Sequence, residues 1–268
     1  MDSRFPFVDW FRHSSPYINA HRGKTFVILV EGEAMASSRR GQLLQDLALL
    51  HTLGVRVVLV YGIRPQVGAA LEAAGITPLR IGGRWVADRQ VMDHVERIAA
   101  VNRLELEAQL SLGLPNTPLH GVELTAVSGN LVTAKPLGVR GGVDFDHSGE
   151  VRRVRSQAIE SLLAGGNLVI LPPLGYSRTG EVFDLDASEI AQHVAVSLKA
   201  DKLILLGESA GLHDDSGQLQ RQLTPDEADT LRERATPGSE LARHLGAACG
   251  AARHGVGRTH LLSWHDHD

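Results

Sequence analysis

Residues 25–30 of the chain read TFVILV and residues 55–61 read VRVVLVY. Runs this short, apolar and β-branched fit strands covered on both faces, because a half-exposed strand would alternate polar with apolar residues. Between them Leu43, Leu44, Leu47 and Leu50 recur at spacings of three and four, which predicts an amphipathic helix ending at Gly54. The alternation continues. Helices are predicted over 65–74, closed by Gly75, and over 88–112, where Asp88 is the N-cap and Val91, Val95 and Ile98 mark the buried stripe. Further helices are predicted over 156–164, 187–199 and about 237–254, with strands over 167–171, 202–206 and 258–263. The TPDE tetrad at 224–227 is a capping box with proline at the first helical position, so another helix starts there. Strand–helix alternation of this kind predicts an α/β fold, a three-layer α/β/α sandwich around a central, mainly parallel sheet.

The middle of the chain breaks the rhythm. Two strand-like segments, 123–128 and 131–136, flank Gly129 and Asn130, a spacing that predicts a hairpin. Residues 138–149 are rich in Gly and Asp, which predicts an exposed excursion with a little strand. Ahead of the first strand, Phe5, Phe7, Val8, Trp10 and Phe11 crowd five large apolar side chains into a segment broken by Pro6 and Pro16. Such a leader either packs on its own subunit or docks on a partner subunit; clustered exposed aromatics favour the second. The division expected is an N-terminal oligomerisation helix over 1–22 and one large domain over 23–268.

Composition removes several classes of function. Lys plus Arg number 27 against 31 Asp plus Glu, a net charge of −4, so the basic face a nucleic-acid binder needs is missing. Cys249 is the single cysteine, which excludes an internal disulfide or a cysteine metal cluster and fits a reducing compartment. No apolar run approaches the ~20 residues of a membrane span. Asp2, Arg4, Asp9 and Arg12 exclude a signal peptide, so a cytoplasmic protein is expected.

Ligands of doubly wound sheets bind beyond the carboxyl ends of the strands, which directs attention to the turns at 30–33 and 61–65. Several stretches resemble bacterial N-acetylglutamate synthases: FRHSSPYINAHRGKTFVI at 11–28, LLHTLGVR at 49–56, VYGIRPQ at 60–66, NTPL at 116–119, VSGN at 127–130, PLGV at 136–139 and VDFDHSG at 143–149. The resemblance runs from about residue 8 to 263. It implies an amino-acid-kinase or carbamate-kinase-like domain that binds the feedback inhibitor L-arginine, in an enzyme of arginine biosynthesis whose acetyltransferase module would begin where this chain stops. It also implies a homo-oligomer, dimers linked into a hexameric ring, with the helix over 88–112 forming the dimer and the leader helices interlacing between dimers.

Against the related acetylglutamate kinases, the resemblance implies a relic substrate and nucleotide site. Where those kinases carry a strand lysine and a Gly-Gly phosphate turn, this chain has Leu29, Glu31 and Gly32; their second glycine-rich turn becomes Gly62, Ile63 and Arg64. A carboxylate ~4 Å from a phosphate charge is unfavourable by about 4 kcal/mol at an effective dielectric of ~20. Ser188 replaces the catalytic aspartate, and the late catalytic lysine falls near His244. Arg84 survives, but Asp184 replaces its asparagine partner. Phosphoryl transfer depends on positioned cations, so no catalytic residues are assigned and no cofactor is expected.

The positions matching those tied to arginine sensitivity are His13, Tyr17, Thr52, Arg56 and Gly255, and Glu208 and Glu240 are candidates for the guanidinium's carboxylate. The remaining readings are a working acylamino-acid kinase and a subunit that pairs with a separate acetyltransferase chain. Asp144, Asp146 and His147 read as a solvated excursion rather than a metal site, and the tail from His265 to Asp268 lacks a third rigid ligand. Ser188 and Ser209 lack a nucleophile elbow. Arg152, Arg153 and Arg155 read as an exposed strand edge.

Overall fold

All six residues of the first strand, β1 (Thr25–Val30), are buried, and so are five of the six in β2 (Arg56–Tyr61). The computed structural model that shows this describes residues 6–112, 124–208, 212 and 218–265, without the side chains of residues 6–8, 10 and 11. The NTPL stretch, Ser209 and residues 266–268 lie outside the described residues. Helix α1 (Pro6–His21) precedes β1; α2 (Gly32–Ala36) and α3 (Arg40–Thr52) lead into β2. Then come α4 (Arg64–Ala73), the ribbon β3 (Arg80–Ile81) and β4 (Arg84–Trp85), and the long α5 (Arg89–Ser111). The middle holds β5 (Ala126–Val127), β6 (Val132–Pro136), β7 (Val139–Arg140), β8 (Val143–Asp144) and β9 (Gly149–Val154). After α6 (Ser156–Ala164) follow β10 (Leu168–Leu171), β11 (Leu174–Tyr176), β12 (Val182–Asp184), α7 (Ala187–Ser197) and β13 (Lys202–Gly207). Helices α8 (Pro225–Arg234) and α9 (Glu240–Arg253) and strand β14 (Arg258–Ser263) complete the described chain.

The main sheet runs β14-β13-β1-β2-β10-β5, with every neighbouring pair parallel. Its two faces explain the unbroken apolar runs. Phe26, Ile28, Val30, Leu59 and Tyr61 share one core with Leu44 and Leu47 of α3, Val67 and Leu71 of α4 and Val91 of α5. The alternate residues Val27, Leu29, Val58 and Val60 share the other with Ile159 of α6, Ile190 and Val194 of α7 and Ala247 of α9. Each fully buried aliphatic side chain contributes about 1.5–3 kcal/mol of transfer free energy, so both layers are held by many such terms. A mainly parallel sheet in a three-layer α/β/α sandwich is thus the architecture, as expected.

Capping follows the sequence closely. Asp88 accepts the Val91 N–H at 2.9 Å. Thr224 and Glu227 exchange hydrogen bonds in the capping box, the Thr224 N–H to Glu227 Oε2 at 2.7 Å and the Glu227 N–H to Thr224 Oγ1 at 3.3 Å. The last long helix starts at Glu240 behind an N-cap at Ser239, because Pro237 and Gly238 form its lead-in rather than its first turn.

The expected hairpin over 123–136 is not formed. Among its described residues, β5 pairs with β10 in the main sheet, whereas β6 pairs with β9 and β11 in a second, four-stranded sheet of order β12-β11-β6-β9. The physical reason is burial: Leu131, Val132 and Ala134 enter the core beneath α6 and α7, which a strand folded back on β5 would not reach. The excursion over 138–149 is the small β7–β8 ribbon. Arg152 and Arg153 stand exposed on β9, an edge of the second sheet.

Candidate functional site

Parallel strands give the sheet two unlike ends. At the carboxyl end Glu31, directly after β1, is 2% exposed. His244 Nε2 lies 2.9 Å from Glu31 Oε1, so this nitrogen carries the proton, and Arg243 Nη2 lies 3.2 Å from the same oxygen. Arg243 Nε also approaches Asp186 Oδ2 at 3.3 Å, which Arg64 Nη2 reaches at 2.8 Å. Asp186 caps α7: its Oδ1 accepts the N–H of Ser188 at 2.9 Å and the Ser188 hydroxyl. Burial alone would raise both acids. For Glu31, the His244 hydrogen bond and the His244 and Arg243 charges outweigh it and hold the pKa below the usual range. For Asp186, Arg64, Arg243 and the Ser188 hydroxyl bring it down to about 2. Asp184 goes the other way. Burial pushes it up to about 6 despite Arg64 and Arg84, with Asp186 adding repulsion.

A second set lies beside the first. Arg84 donates from Nη2 to Glu189 Oε2 at 2.5 Å and from Nη1 to the Gly149 carbonyl at 2.9 Å, while Glu189 Oε1 accepts the Val151 N–H at 2.8 Å. The β3–β4 turn closes over this region by backbone contact. A Cβ on Gly83 would stand 2.4 Å from Gly238 Cα, and both residues have positive φ, +80° and +76°. What remains open is a cleft of about 330 Å³ lined in part by Arg84, Ser188, Glu189, Gln192, Arg232 and Arg243. A further pocket of about 20 Å³ among Glu31, Arg64, Asp184 and Asp186 has room for about one water. Leu29, where a strand lysine would stand, is fully buried in the apolar core.

At the amino end of the sheet the charges are arranged differently. Lys202 opens β13, paired in register with Phe26 on one side and Arg258 on the other. Its Nζ lies 3.3 Å from His21 Nε2 and 5.0 Å above the Phe26 ring. Among the described residues neither Lys202 nor Arg258 has a carboxylate ion-pair partner. His260 follows two residues after Arg258, and its buried Nε2 has no hydrogen-bond partner among the described residues. Burial, with Lys202 and Arg258 nearby, keeps the His260 pKa below its ordinary value. Burial and Arg258 likewise lower Lys202. Along β14 runs a cavity of about 950 Å³, bordered by Gln220, Leu223, Ala252, Val256, Gly257 and Arg258.

The five arginine candidates fall around this amino end, and none of them lines the cavity along β14. Tyr17 is 72% exposed on α1, one turn before His21. His13 Nδ1 is 2.7 Å from the Asp9 carbonyl oxygen, and the Thr52 hydroxyl is turned to the Leu49 carbonyl at 2.8 Å. Arg56 begins β2 and pairs with Thr25. Gly255 stands three residues before Arg258, and the main-chain N–H groups there are in use: Gly255 and Val256 donate to the Ala252 and Ala251 carbonyls. Glu208 and Glu240 belong to the carboxyl end, where Glu240 Oε1 accepts the Glu208 N–H at 2.9 Å. The length of β13, about 20 Å at ~3.3 Å per residue, separates them from Lys202, so they do not complete a site with Tyr17 or Gly255. Asp144, Asp146 and His147 lie in and beside the β7–β8 ribbon, where Asp144 Oδ1 accepts the Asp146 N–H; among the described residues no cluster of three acidic, His or Cys groups is placed to hold a metal. Sequence reasoning missed Asp186, Arg243, Lys202 and His260. Asp186 alone carried a local signal, as an Asp directly before a helix.

A parallel sheet in an α/β/α sandwich, with polar clusters beyond its strand ends, defines a class. The chain belongs to the amino acid kinase family, whose sequence profile matches residues 24–263. It is 44% identical over 258 residues to the amino-acid acetyltransferase of Pseudomonas fluorescens, covering 96% of this chain and 60% of that protein. It is 45% identical to the Shewanella oneidensis amino-acid acetyltransferase over 263 residues, 97% of this chain and 59% of the relative. The chain therefore spans about 60% of the length of these relatives. The fold superposes on the N-acetylglutamate synthase of Neisseria gonorrhoeae complexed with coenzyme A and L-arginine, with TM-score 0.89 and 35% identity, covering 96% of this chain and 60% of that one. A Giardia lamblia carbamate kinase bound to AMP-PNP shares the fold at TM-score 0.62 and 18% identity, over 90% of this chain and 92% of that kinase. Among the described residues no helix is long and apolar enough to cross a membrane.

Proposed function

We propose that this chain is the arginine-binding regulatory domain of an N-acetylglutamate synthase, which makes N-acetylglutamate from acetyl-CoA and L-glutamate, and that the domain itself carries no catalysis. One contrast supports the reading. At the carboxyl end Arg64, Arg84, Arg243 and His244 are each engaged by the chain's own carboxylates, so none is left to stabilise a transferring phosphoryl group. At the amino end, among the described residues, Lys202 and Arg258 have no acidic ion-pair partner and lie near His260, whose pKa burial keeps below its ordinary value. L-Arginine matches that inventory. Its carboxylate takes charge-assisted hydrogen bonds from Lys202 and Arg258, and its guanidinium needs acceptors, which a neutral His260 Nε2 and Gln220 Oε1, both buried and without a hydrogen-bond partner among the described residues, provide. Helix α1, ending at His21 against Lys202, is the element through which binding reaches the subunit arrangement. The exposed Val101, Leu104 and Leu112 on and just beyond α5 supply the other surface of the proposed homo-oligomer.

Thermal unfolding with added amino acids tests the assignment. L-Arginine should raise the melting temperature more than L-lysine does, since a ligand at 100 times its Kd adds about 2.7 kcal/mol, and Lys202→Ala should remove most of the shift. An unchanged melting temperature at millimolar arginine would overturn it.

A further inference from the structure

Helix α1 meets the sheet through an imidazole that has to be neutral. Lys202 Nζ lies 3.3 Å from His21 Nε2. An ammonium can only donate, so His21 Nε2 presents its lone pair and the ring proton sits on Nδ1. Both groups rest on one aromatic ring. His21 packs edge-on against Phe26 with centroids 5.4 Å apart, and Lys202 Nζ stands 5.0 Å above the same ring. Along α1 Arg12, His13, Tyr17 and Asn19 are exposed, whereas His21 is half-buried where β1 and β13 begin. A protonated His21 would set two cations against each other at hydrogen-bonding distance.

The surroundings offer that second charge no relief. On the chain Arg22 follows His21 directly. On β14 Arg258 pairs in register with Lys202, and His260 follows two residues later. Lys24 and Arg56 meet where β1 and β2 start, the Arg56 N–H donating to the Lys24 carbonyl at 2.8 Å. Asp201, the acid of this edge, is already engaged: Oδ1 pairs with Lys24 Nζ at 3.0 Å, and Oδ2 accepts the Thr25 N–H at 2.9 Å. Asp9 lies about three turns back along α1 and pairs with Arg12. Tyr17, one turn before His21, carries no charge at neutral pH. The carboxyl end of a helix favours a cation, but that effect is small beside direct contact with an ammonium.

We propose that His21 is a pH-sensitive latch for α1: neutral, it seats the end of the helix on Lys202 and Phe26, and protonated, it is repelled by Lys202 and Arg258 so that the end of α1 lifts from the sheet. Only the released state takes up the proton, so release grows as the pH falls, by up to about tenfold per pH unit where imidazoles titrate. The latch requires no arginine and is tested without it, so its failure leaves the arginine assignment standing.

The test is amide hydrogen exchange of the full chain at pH 7.5 and pH 5.5, with labelling times scaled to the intrinsic exchange rate at each pH. Peptides covering residues 13–24 report the latch, and peptides from residues 25–30 serve as the reference, because local opening registers as lost protection in the segment that opens. In the parent chain, protection over 13–24 should fall by about tenfold or more at pH 5.5, while 25–30 stays unchanged. Two variants remove the titration or its consequence. His21→Gln keeps an acceptor for Lys202 that does not titrate, and Lys202→Met keeps the packing on Phe26 without the charge. Each should hold the protection of 13–24 nearly constant between the two pH values. If one of them is recovered unfolded, the other carries the comparison. Equal protection of the parent at both pH values would overturn the proposal, and so would a fall in either variant as large as that of the parent.

Discussion

At neutral pH the fold holds Asp184 ionised in surroundings that oppose its charge, and Asp184→Asn should release that opposition. Burial raises the Asp184 pKa from 3.8 to about 6, with Asp186 adding to the shift. Two pKa units at about 1.4 kcal/mol each set an upper bound near 3 kcal/mol. The side chain is not sealed from solvent, and screening reduces the expected gain to about 1–2 kcal/mol. A folded-state pKa above the unfolded value means that the favourable contribution is complete below pH 3.8 and lost as the pH rises through about 6. The variant should therefore melt higher than the parent at pH 8, by roughly 2–4 °C per kcal/mol, and the advantage should shrink as the pH falls toward 4. Asp186 supplies the opposite sign. Its pKa, lowered to about 2, gives stability that is present above 3.8 and lost as the pH falls through 2. Asp186→Asn should thus destabilise at pH 7, by about 3–5 kcal/mol for a broken buried pair. Circular-dichroism melts of both variants at pH 8, 6 and 4.5 decide it. An Asp184→Asn chain that melts below the parent at pH 8, or with the same offset at all three values, would refute the reasoning.

Other outcomes follow from the same geometry. Thr224→Ala removes the hydroxyl that accepts the Glu227 N–H, one half of the capping box, and should lower stability by about 1 kcal/mol, read in a urea melt. Gly83→Ala sets a Cβ 2.4 Å from Gly238 Cα at a φ of +80°; it should destabilise by about 1–3 kcal/mol and raise hydrogen exchange in both loops. Gly68→Ala, with open space around its Cβ inside α4, should instead gain about 0.5–1 kcal/mol. Removing residues 1–20 should reduce the assembly to dimers and weaken arginine binding together; equal sizes of full and shortened chains by light scattering would restrict α1 to local packing.

The sheet and its helices were legible because almost entirely apolar runs such as 25–30 have one good solution, a parallel strand covered on both sides. The capping residues Asp88 and Thr224 were legible because their partners lie three residues away. Strand pairing around Gly129 was not: the turn signal is local, but the choice of partner was decided by where Leu131 and Val132 find a core. The ion cluster was hidden for the same reason. Glu31, Arg64, Asp186 and Arg243 are separated by tens to hundreds of residues, and only the parallel sheet sets their loops side by side. The resemblance drew attention to Glu31, Asp184, Ser188 and His244 as places where kinase groups are replaced, and to Arg84 as one that survives. It did not reveal that carboxylates of the same chain engage the cations there. At the amino end Lys202 read only as the first residue of a strand, although its neighbours across the ladder make it part of a cationic edge.

The most direct test of an arginine-binding, non-catalytic domain is isothermal titration calorimetry with L-arginine, and separately with Mg-ATP and N-acetylglutamate. The account predicts a saturable heat with arginine that Lys202→Ala abolishes, and no saturable heat with the nucleotide or the acylamino acid. Saturable binding of Mg-ATP without any response to arginine would contradict it.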